Sequence, residues 1–176
     1  MGLLAELIKR FTKKTVSVKV LVVCMENVCR SPMAEGALKL ALAKRGLATA
    51  VEVRSAGTHV SQPGRRPDVR AIRVAQARGV DIAKNRSKLI KPEDYHHYDY
   101  ILAADKDVLS SLEKINKDHS YCKIMLLMSF VKNSDVVEIP DPYFGNNAGF
   151  EYVMDLVELA AEEVVTALIN TNLIKY

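Results

Sequence analysis

Apolar and polar positions divide most of the chain into short apolar runs and longer segments in which apolar residues recur at helical spacing. The apolar runs are typical of buried strands and fall at 19–24, 51–54, 100–104 and 123–128. The helical segments fall at 31–45, 67–78, 105–115 and 150–168. This alternation predicts an α/β fold: a single domain in which helices flank a four-stranded parallel sheet.

The first 18 residues have a pattern of their own, and we interpret them as an extension of a domain that spans residues 19–176. Between residues 3 and 14, apolar side chains at helical spacing are interspersed with basic ones, which predicts a short basic amphipathic helix. Such a helix can make a weak contact with an anionic membrane surface or a partner protein. The alternatives are a helix that packs on its own domain and a frayed terminus.

Composition and charge narrow the function classes. The chain has 176 residues, of which 49% are hydrophobic and 26% charged, and this indicates one soluble globular domain. The net charge of +4 arises within the first 20 residues, so the rest of the chain is neutral and we expect no nucleic-acid partner. Three Cys are too few for a disulfide scaffold, and no apolar run reaches the about 18 residues of a membrane span. Both observations favour a cytoplasmic location.

The segment between the first predicted strand and the first predicted helix carries the strongest chemical signal. It reads Cys24-Met25-Glu26-Asn27-Val28-Cys29-Arg30-Ser31-Pro32. A strand-to-helix turn of this kind points backbone N–H groups inward, and the helix N-terminus adds partial positive charge, so the turn suits a tetrahedral oxyanion. We call residues 24–31 the phosphate loop.

Two side chains of the phosphate loop have the chemistry to act on a bound phosphate. The planar guanidinium of Arg30 can hold two of its oxygens. The same positive field stabilises the thiolate of Cys24, which becomes a candidate nucleophile beneath the phosphorus. Outside this context, Cys24 would be interpreted as a small buried apolar residue.

A candidate acid lies in residues 139–145, which we call the acid loop. Asp141 stands between Pro140 and Pro142, which stiffen the chain around it. A carboxylic acid above the cleft would protonate the leaving oxygen of a phosphate ester. Tyr143 and Phe144 would then form an aromatic wall for a flat substrate side chain. On local sequence alone, a plain Asp-Pro turn is the alternative.

Together, the phosphate loop and the acid loop resemble those of the low-molecular-weight protein tyrosine phosphatases, and the resemblance covers about residues 18–170. It extends to Met33-Ala34-Glu35, to Ser55-Ala56-Gly57-Thr58, and to Tyr98-Asp99-Tyr100-Ile101-Leu102 followed by Asp105. The resemblance implies a four-stranded parallel sheet with the phosphate loop after the first strand, no metal and no organic cofactor. It also implies a phosphotyrosine-containing protein as substrate, and by family analogy a tyrosine kinase as a candidate partner.

The resemblance further implies a two-step mechanism in which Cys24 attacks phosphorus while Asp141 protonates the leaving oxygen. Water then hydrolyses the cysteinyl-phosphate, with Asp141 as base. Arg30 and the amides of the phosphate loop stabilise the transferring oxygens in both steps. The remaining roles that it implies are loop bracing by Asn27, hydrogen-bond donation to the thiolate by Ser31, and reversible disulfide trapping of oxidised Cys24 by Cys29.

The chain departs from the family pattern at two places. Glu26 stands where the family usually has Gly, so its carboxylate either opposes phosphate binding or points to solvent, and it adds strain if the position needs a positive φ. The second place is the segment 58–67, the rim loop, which has no aromatic residue and carries Ser61 near where relatives often place Tyr or Trp. Ser61 therefore joins Tyr143 and Phe144 as a candidate for the substrate wall. Arg65 and Arg66 either favour acidic residues that flank the substrate phosphate or belong to a solvated loop.

Three alternatives to phosphotyrosine hydrolysis stay open. A non-catalytic or weakly active phospho-binding or docking module would follow if Glu26 blunts catalysis. Protein arginine phosphatases of similar fold carry Thr at the position of Val28, and an apolar residue there favours phosphotyrosine. Arsenate reductases need relay cysteines downstream, and this chain offers only Cys29 in the loop and Cys122, which we expect in the core.

Overall fold

The computed structural model describes residues 18–116 and 121–174. The elements, in chain order, are β1 (Val18–Cys24), α1 (Arg30–Lys44), β2 (Val51–Gly57), α2 (Val69–Ala77), α3 (Asp94–His97), β3 (Tyr100–Ala103), α4 (Lys106–Ile115), β4 (Lys123–Leu126), a 3-10 helix (Leu127–Phe130) and α5 (Asn147–Asn170). The predicted α/β class is confirmed. The amphipathic helix predicted at residues 3–14 lies outside the described residues.

All strands of the sheet run parallel, in the order β2-β1-β3-β4. Strand β1 is central, and its last residue, Cys24, lies opposite Gly57 at the end of β2. On the other side, Val23 lies opposite Ala103 at the end of β3. Because the carboxyl ends of parallel strands meet at one edge of a sheet, the loops that follow β1, β2 and β3 converge beside Cys24.

Both faces of the sheet are covered, and this explains why β1 is apolar from Val20 to Cys24. Val20 and Val22 belong to a core that includes residues of α1, α2 and α5. Leu21 and Val23 belong to a second core that includes Val108 and Leu112 of α4. A parallel strand that is buried on both faces shows a continuous apolar run in place of alternation. Among the described residues, no helix combines the length and apolar character needed to span a bilayer.

Several element boundaries differ from the prediction for local reasons. Helix α2 begins at Val69 because the Asp68 side chain accepts a hydrogen bond from Arg70 N and caps the helix there. Strand β2 continues to Gly57 because β1 pairs with it over its whole length. Strand β4 ends at Leu126, and the apolar residues that follow form the 3-10 helix. Helix α3, of four residues, is too short to produce a periodic pattern and was not predicted.

Candidate active site

The phosphate loop lies at the carboxyl edge of the sheet, against the end of β2. A Cβ atom on Gly57 would stand 2.4 Å from the Met25 carbonyl oxygen and 3.1 Å from Asn27 N. Only glycine therefore lets the loop approach this strand so closely. The segment Ser55-Ala56-Gly57-Thr58 was noticed in the sequence as part of the family resemblance, but this steric role depends on a contact that the sequence does not show.

Asn27 ties the phosphate loop to its surroundings. Its backbone has φ 56°, in the left-handed region that Asn tolerates better than most residues. Its Nδ2 donates to Ser31 Oγ at 2.9 Å and to Ser55 Oγ at 3.0 Å, and its Oδ1 accepts from Lys88 N at 3.0 Å. These bonds connect the loop to α1, to β2 and to the segment that precedes α3.

The Cys24 thiol group lies at the bottom of the site, 3% exposed. Its Sγ atom is 3.0 Å from Ser31 Oγ. Because Asn27 already donates to this hydroxyl oxygen, the single hydroxyl hydrogen of Ser31 is free to point at sulfur or at the Ala56 carbonyl, 3.2 Å away. The geometry thus permits Ser31 to donate to a Cys24 thiolate.

Arg30 is buried at the first position of α1 and lies between two carboxylates. Its Nη1 donates to the Asp105 carboxylate and, at 3.0 Å, to the Ile139 carbonyl oxygen. Its Nη2 donates to Asp141 Oδ2 at 3.1 Å. Burial acts to lower the pKa of Arg30, but the negative charges of Cys24 and Asp141, together with the hydrogen bond and charge of Asp105, outweigh it, so the net shift is upward. The guanidinium therefore stays charged and oriented.

Asp141, on the acid loop, lines the same cleft as the Cys24 thiol, and its side chain is about half exposed. Its Oδ1 accepts from Tyr143 N at 3.1 Å, while Oδ2 takes the bond from Arg30. The start of the acid loop is fixed to the sheet edge by Ile139 N, which donates to the Ala104 carbonyl oxygen at 2.8 Å. The acid loop thus brings Asp141 to the edge of the sheet where Cys24 lies, although 117 positions separate the two in sequence.

Arg70 holds the far end of the acid loop, and sequence analysis did not identify it. Its Nη1 donates to the Gly145 carbonyl oxygen at 3.1 Å and its Nη2 to the Tyr143 carbonyl oxygen at 2.9 Å. Arg70 also pairs with Asp68, and the side-chain hydrogen bond lowers the pKa of that carboxyl. Since Asp68 N donates to the Val28 carbonyl oxygen at 2.8 Å, the pair connects the acid loop to the phosphate loop.

The cleft has a volume of about 300 Å³, and most of the predicted site residues line it. It is lined by Cys24, Met25, Glu26, Val28, Cys29, Arg30, Ser61, Arg65, Asp141, Tyr143 and Phe144. Tyr143 and Phe144 stand edge to face, with ring centroids 5.1 Å apart, and Phe144 is 97% exposed. Asn27 and Ser31 lie behind this lining and support it through their side chains.

Glu26 adopts neither of the two orientations considered from the sequence. Its Oε2 atom accepts hydrogen bonds from Ser61 N at 3.1 Å and from Ser61 Oγ at 3.0 Å, so the carboxylate turns toward the rim loop. The condition under which Glu26 would add strain is not met, because Asn27, and not Glu26, has the positive φ in this loop. Glu26 therefore links the phosphate loop to the rim loop.

The two cysteines of the phosphate loop have different surroundings. Burial, reinforced by the negative charges of Asp68 and Cys24, raises the pKa of Cys29 to about 12. Cys29 is therefore a neutral thiol near pH 7 and no rival to Cys24 as nucleophile. Neither Cys24 nor Cys29 forms a disulfide bond, and Cys122 is half-buried against the second core, less enclosed than we expected.

The fold and this cleft define a class: α/β phosphatases that cleave phosphate monoesters with a cysteine. The family model described as low molecular weight phosphotyrosine protein phosphatase matches residues 19–173, and the chain belongs to that family.

Relatives of known name and structure agree with this assignment. The low molecular weight protein-tyrosine-phosphatase YfkJ of Bacillus subtilis is 30% identical over 86% of this chain and 96% of its own length. The Schizosaccharomyces pombe low molecular weight phosphotyrosine protein phosphatase is 32% identical over 77% of this chain and 87% of its own. The crystal structure of a protein tyrosine phosphatase from Entamoeba histolytica superimposes with a TM-score of 0.84 at 32% identity, covering 88% of this chain and 99% of that one. A crystal structure titled Drosophila arginine phosphatase gives a TM-score of 0.80 at 32% identity, covering 85% and 97%.

Proposed function

We propose that this protein hydrolyses phosphotyrosine in partner proteins through a cysteinyl-phosphate on Cys24. The observation that carries the proposal is the meeting of three side chains in one cleft: the thiol of Cys24, the buried guanidinium of Arg30 and the carboxyl group of Asp141. The chemistry follows from what each of these groups can do at its position.

In the first step, the Cys24 thiolate attacks phosphorus, an S–P bond forms and the bond from phosphorus to the tyrosine oxygen breaks. Asp141, in its protonated form, gives its proton to the departing phenolate oxygen. Protonation removes the charge that binds Asp141 to Arg30, so the Nη2 that it occupied at 3.1 Å becomes available to the phosphate. Arg30 and the loop N–H groups then stabilise the equatorial oxygens.

In the second step, water attacks the cysteinyl-phosphate and the S–P bond breaks. Asp141, now a carboxylate, accepts a proton from that water, and inorganic phosphate leaves. Ser31 assists by donating its hydroxyl hydrogen to the regenerated thiolate, from 3.0 Å away. The reaction consumes one water molecule and needs no other reactant.

Phosphotyrosine is favoured over phosphoarginine by the lining of the cleft. Val28 contributes an apolar side chain, and Tyr143 and Phe144 present aromatic rings that suit the flat face of a phenyl group. Since one similar structure is titled an arginine phosphatase, phosphoarginine is the competing substrate to test.

A purely phospho-binding or docking role is supported less well. That hypothesis depends on Glu26 opposing catalysis, but the Glu26 carboxylate accepts two hydrogen bonds from Ser61. We further propose a cytoplasmic location and, as the partner, a tyrosine kinase or a protein that one phosphorylates. A weak membrane or partner contact through residues 3–14 completes the proposal.

The test compares a phosphotyrosine peptide, a phosphoarginine peptide and the variant Cys24→Ser. We expect the wild-type protein to release phosphate from the phosphotyrosine peptide preferentially, and Cys24→Ser to lose about 10⁴-fold or more in kcat. The variant should still bind inorganic phosphate, because Arg30 and the loop amides remain. Turnover retained by Cys24→Ser would exclude Cys24 as nucleophile, and faster release from phosphoarginine would reverse the substrate assignment.

A further inference from the structure

Arg65, on the rim loop, differs from the other arginines near the cleft. Arg30 pairs with Asp105 and Asp141, and Arg70 pairs with Asp68. The Arg65 side chain also lines the cleft, yet it has no hydrogen-bond or ion-pair partner among residues 18–116 and 121–174. Among the described residues that line the cleft, Arg65 is therefore the cation whose charge is available to a ligand.

The backbone that carries Arg65 is held firmly by Ser87, which is buried. Arg65 N donates to Ser87 Oγ at 3.0 Å, and Ser87 N donates back to the Arg65 carbonyl oxygen at 2.9 Å. Two further bonds fix the preceding residues: Gly64 N to the Ser87 carbonyl oxygen and Ser87 Oγ to the Gln62 carbonyl oxygen, both at 2.8 Å. Because this backbone is already fixed, less conformational freedom is lost when the Arg65 guanidinium binds a ligand.

Two carboxylates that could interact with Arg65 already accept hydrogen bonds from other groups. Glu26, which lines the same cleft, receives two hydrogen bonds from Ser61 on its Oε2 atom. The charge of Arg65 contributes to the lowered pKa of Asp68, but both oxygens of Asp68 accept from Arg70, at 2.8 to 3.0 Å. Both of these carboxylates thus already accept hydrogen bonds from other donors.

We propose that Arg65 is a specificity-determining residue that binds the carboxylate of an acidic side chain next to the phosphotyrosine of the substrate. This inference rests on the proposed function, since it assigns a substrate class to the same cleft. A planar guanidinium matches a carboxylate with two parallel hydrogen bonds. Because the pair would stay exposed to water, we expect a preference of about three- to fivefold and no more.

The experiment measures kcat/KM for three phosphotyrosine peptides that differ only beside the phosphotyrosine, where they carry Glu, Gln or Lys. It compares the wild-type protein with Arg65→Gln and with the matched control Arg66→Gln. Both variants lose one positive charge from neighbouring exposed positions, but only Arg65 lines the cleft. Placing the variable residue on either side of the phosphotyrosine in turn locates the contact.

We expect the wild-type protein and Arg66→Gln to prefer the Glu peptide over the Gln peptide by about three- to fivefold, mainly through KM, and to disfavour the Lys peptide. Arg65→Gln should hydrolyse the Glu and Gln peptides equally. Added salt should shrink the wild-type preference, since it screens an exposed pair.

Equal turnover of the three peptides by the wild-type protein, or equal loss of preference in both variants, would overturn the proposal. Failure of the proposed function itself looks different: the wild-type protein would then hydrolyse neither the peptides nor p-nitrophenyl phosphate. In that case, the affinities of the same three peptides for Cys24→Ser still decide the role of Arg65, because binding needs no turnover.

Discussion

The floor of the cleft and its rim are built in opposite ways. On the floor, Asn27, Arg30 and Ser31 are buried, and their side chains bond to α1, β2 and the acid loop. On the rim, Ser61, Arg65 and Phe144 are exposed, and the Arg65 side chain has no hydrogen bond among the described residues. The floor fixes atoms that must react, whereas the rim presents groups that a substrate can engage.

This difference separates two kinds of functional effect. A buried, fully bonded group cannot be removed without leaving its partners unsatisfied, so substitutions on the floor should lower kcat strongly. An exposed group gains little binding free energy when it exchanges water for substrate, so substitutions on the rim should change KM by small factors. The expected effects therefore decrease from the reacting groups outward.

The largest effect after loss of the nucleophile is expected for Asp141→Asn. The amide cannot donate a proton to the leaving oxygen, so kcat should fall by about 10²- to 10³-fold for esters with poor leaving groups. The loss should be much smaller for p-nitrophenyl phosphate, whose phenolate leaves without help. A series of aryl phosphates of graded leaving-group pKa measures this, and equal losses across the series would argue against an acid role.

Ser31→Ala should come next. It removes the hydroxyl 3.0 Å from Cys24 Sγ, and with it a hydrogen bond to the thiolate. Hydrogen bonds to charged groups contribute enough to make the expected fall in kcat about 10- to 100-fold. Ser111→Ala, at a half-buried position of α4, is the matched control and should leave kcat unchanged. A loss in Ser31→Ala no greater than in this control would show that the floor does not tune the thiolate.

The contact between Glu26 and Ser61 joins floor to rim and should produce a smaller effect. Ser61→Ala removes one of the two bonds that hold the carboxylate at the rim loop, so phosphate should inhibit about two- to fivefold less well. Glu26→Gly should restore strong inhibition in the Ser61→Ala background, because no carboxylate remains to repel phosphate. If the double variant stays as weak as Ser61→Ala, the serine acts on phosphate by another route.

The smallest effect concerns the pH dependence of stability. Because the pKa of Cys29 rises to about 12 on folding from 9.0, the folded protein holds this proton more tightly than the unfolded chain. The contribution of this proton to the free energy of unfolding is complete below about pH 9 and is lost as the pH rises toward 12. Between pH 8 and pH 10, the free energy of unfolding measured with urea should therefore fall less for Cys29→Ala than for the wild-type protein. An equal fall would mean that the floor is wetter than its geometry indicates.

Much of this molecule could be predicted from contiguous sequence. The buried strand that ends at Cys24 is a continuous apolar run, and the phosphate loop places its nucleophile and its arginine within seven residues. The parallel sheet follows from the alternation of strands and helices. The prediction that Asp141 is the acid required the family resemblance as well, because an Asp between two prolines is common in turns.

The rest depends on contacts between distant residues. Arg70 bonds to backbone carbonyl groups of the acid loop, which leave no trace in the residue types there. Glu26 was expected to face either the anion or solvent, yet its partner is a serine 35 positions further along the chain. Arg65 and Arg66 are indistinguishable as neighbouring basic residues, and only the fold shows which of them lines the cleft.

The most direct test of the central claim is to trap the cysteinyl-phosphate. Asp141→Asn should be mixed with p-nitrophenyl phosphate that carries labelled phosphorus, quenched within one turnover, digested and mapped by mass spectrometry. Our account predicts close to one labelled phosphoryl group per chain, on the peptide that contains Cys24, and none when Cys24→Ser is added to the same background. Phosphate release without covalent label, or a label on another residue, would contradict it.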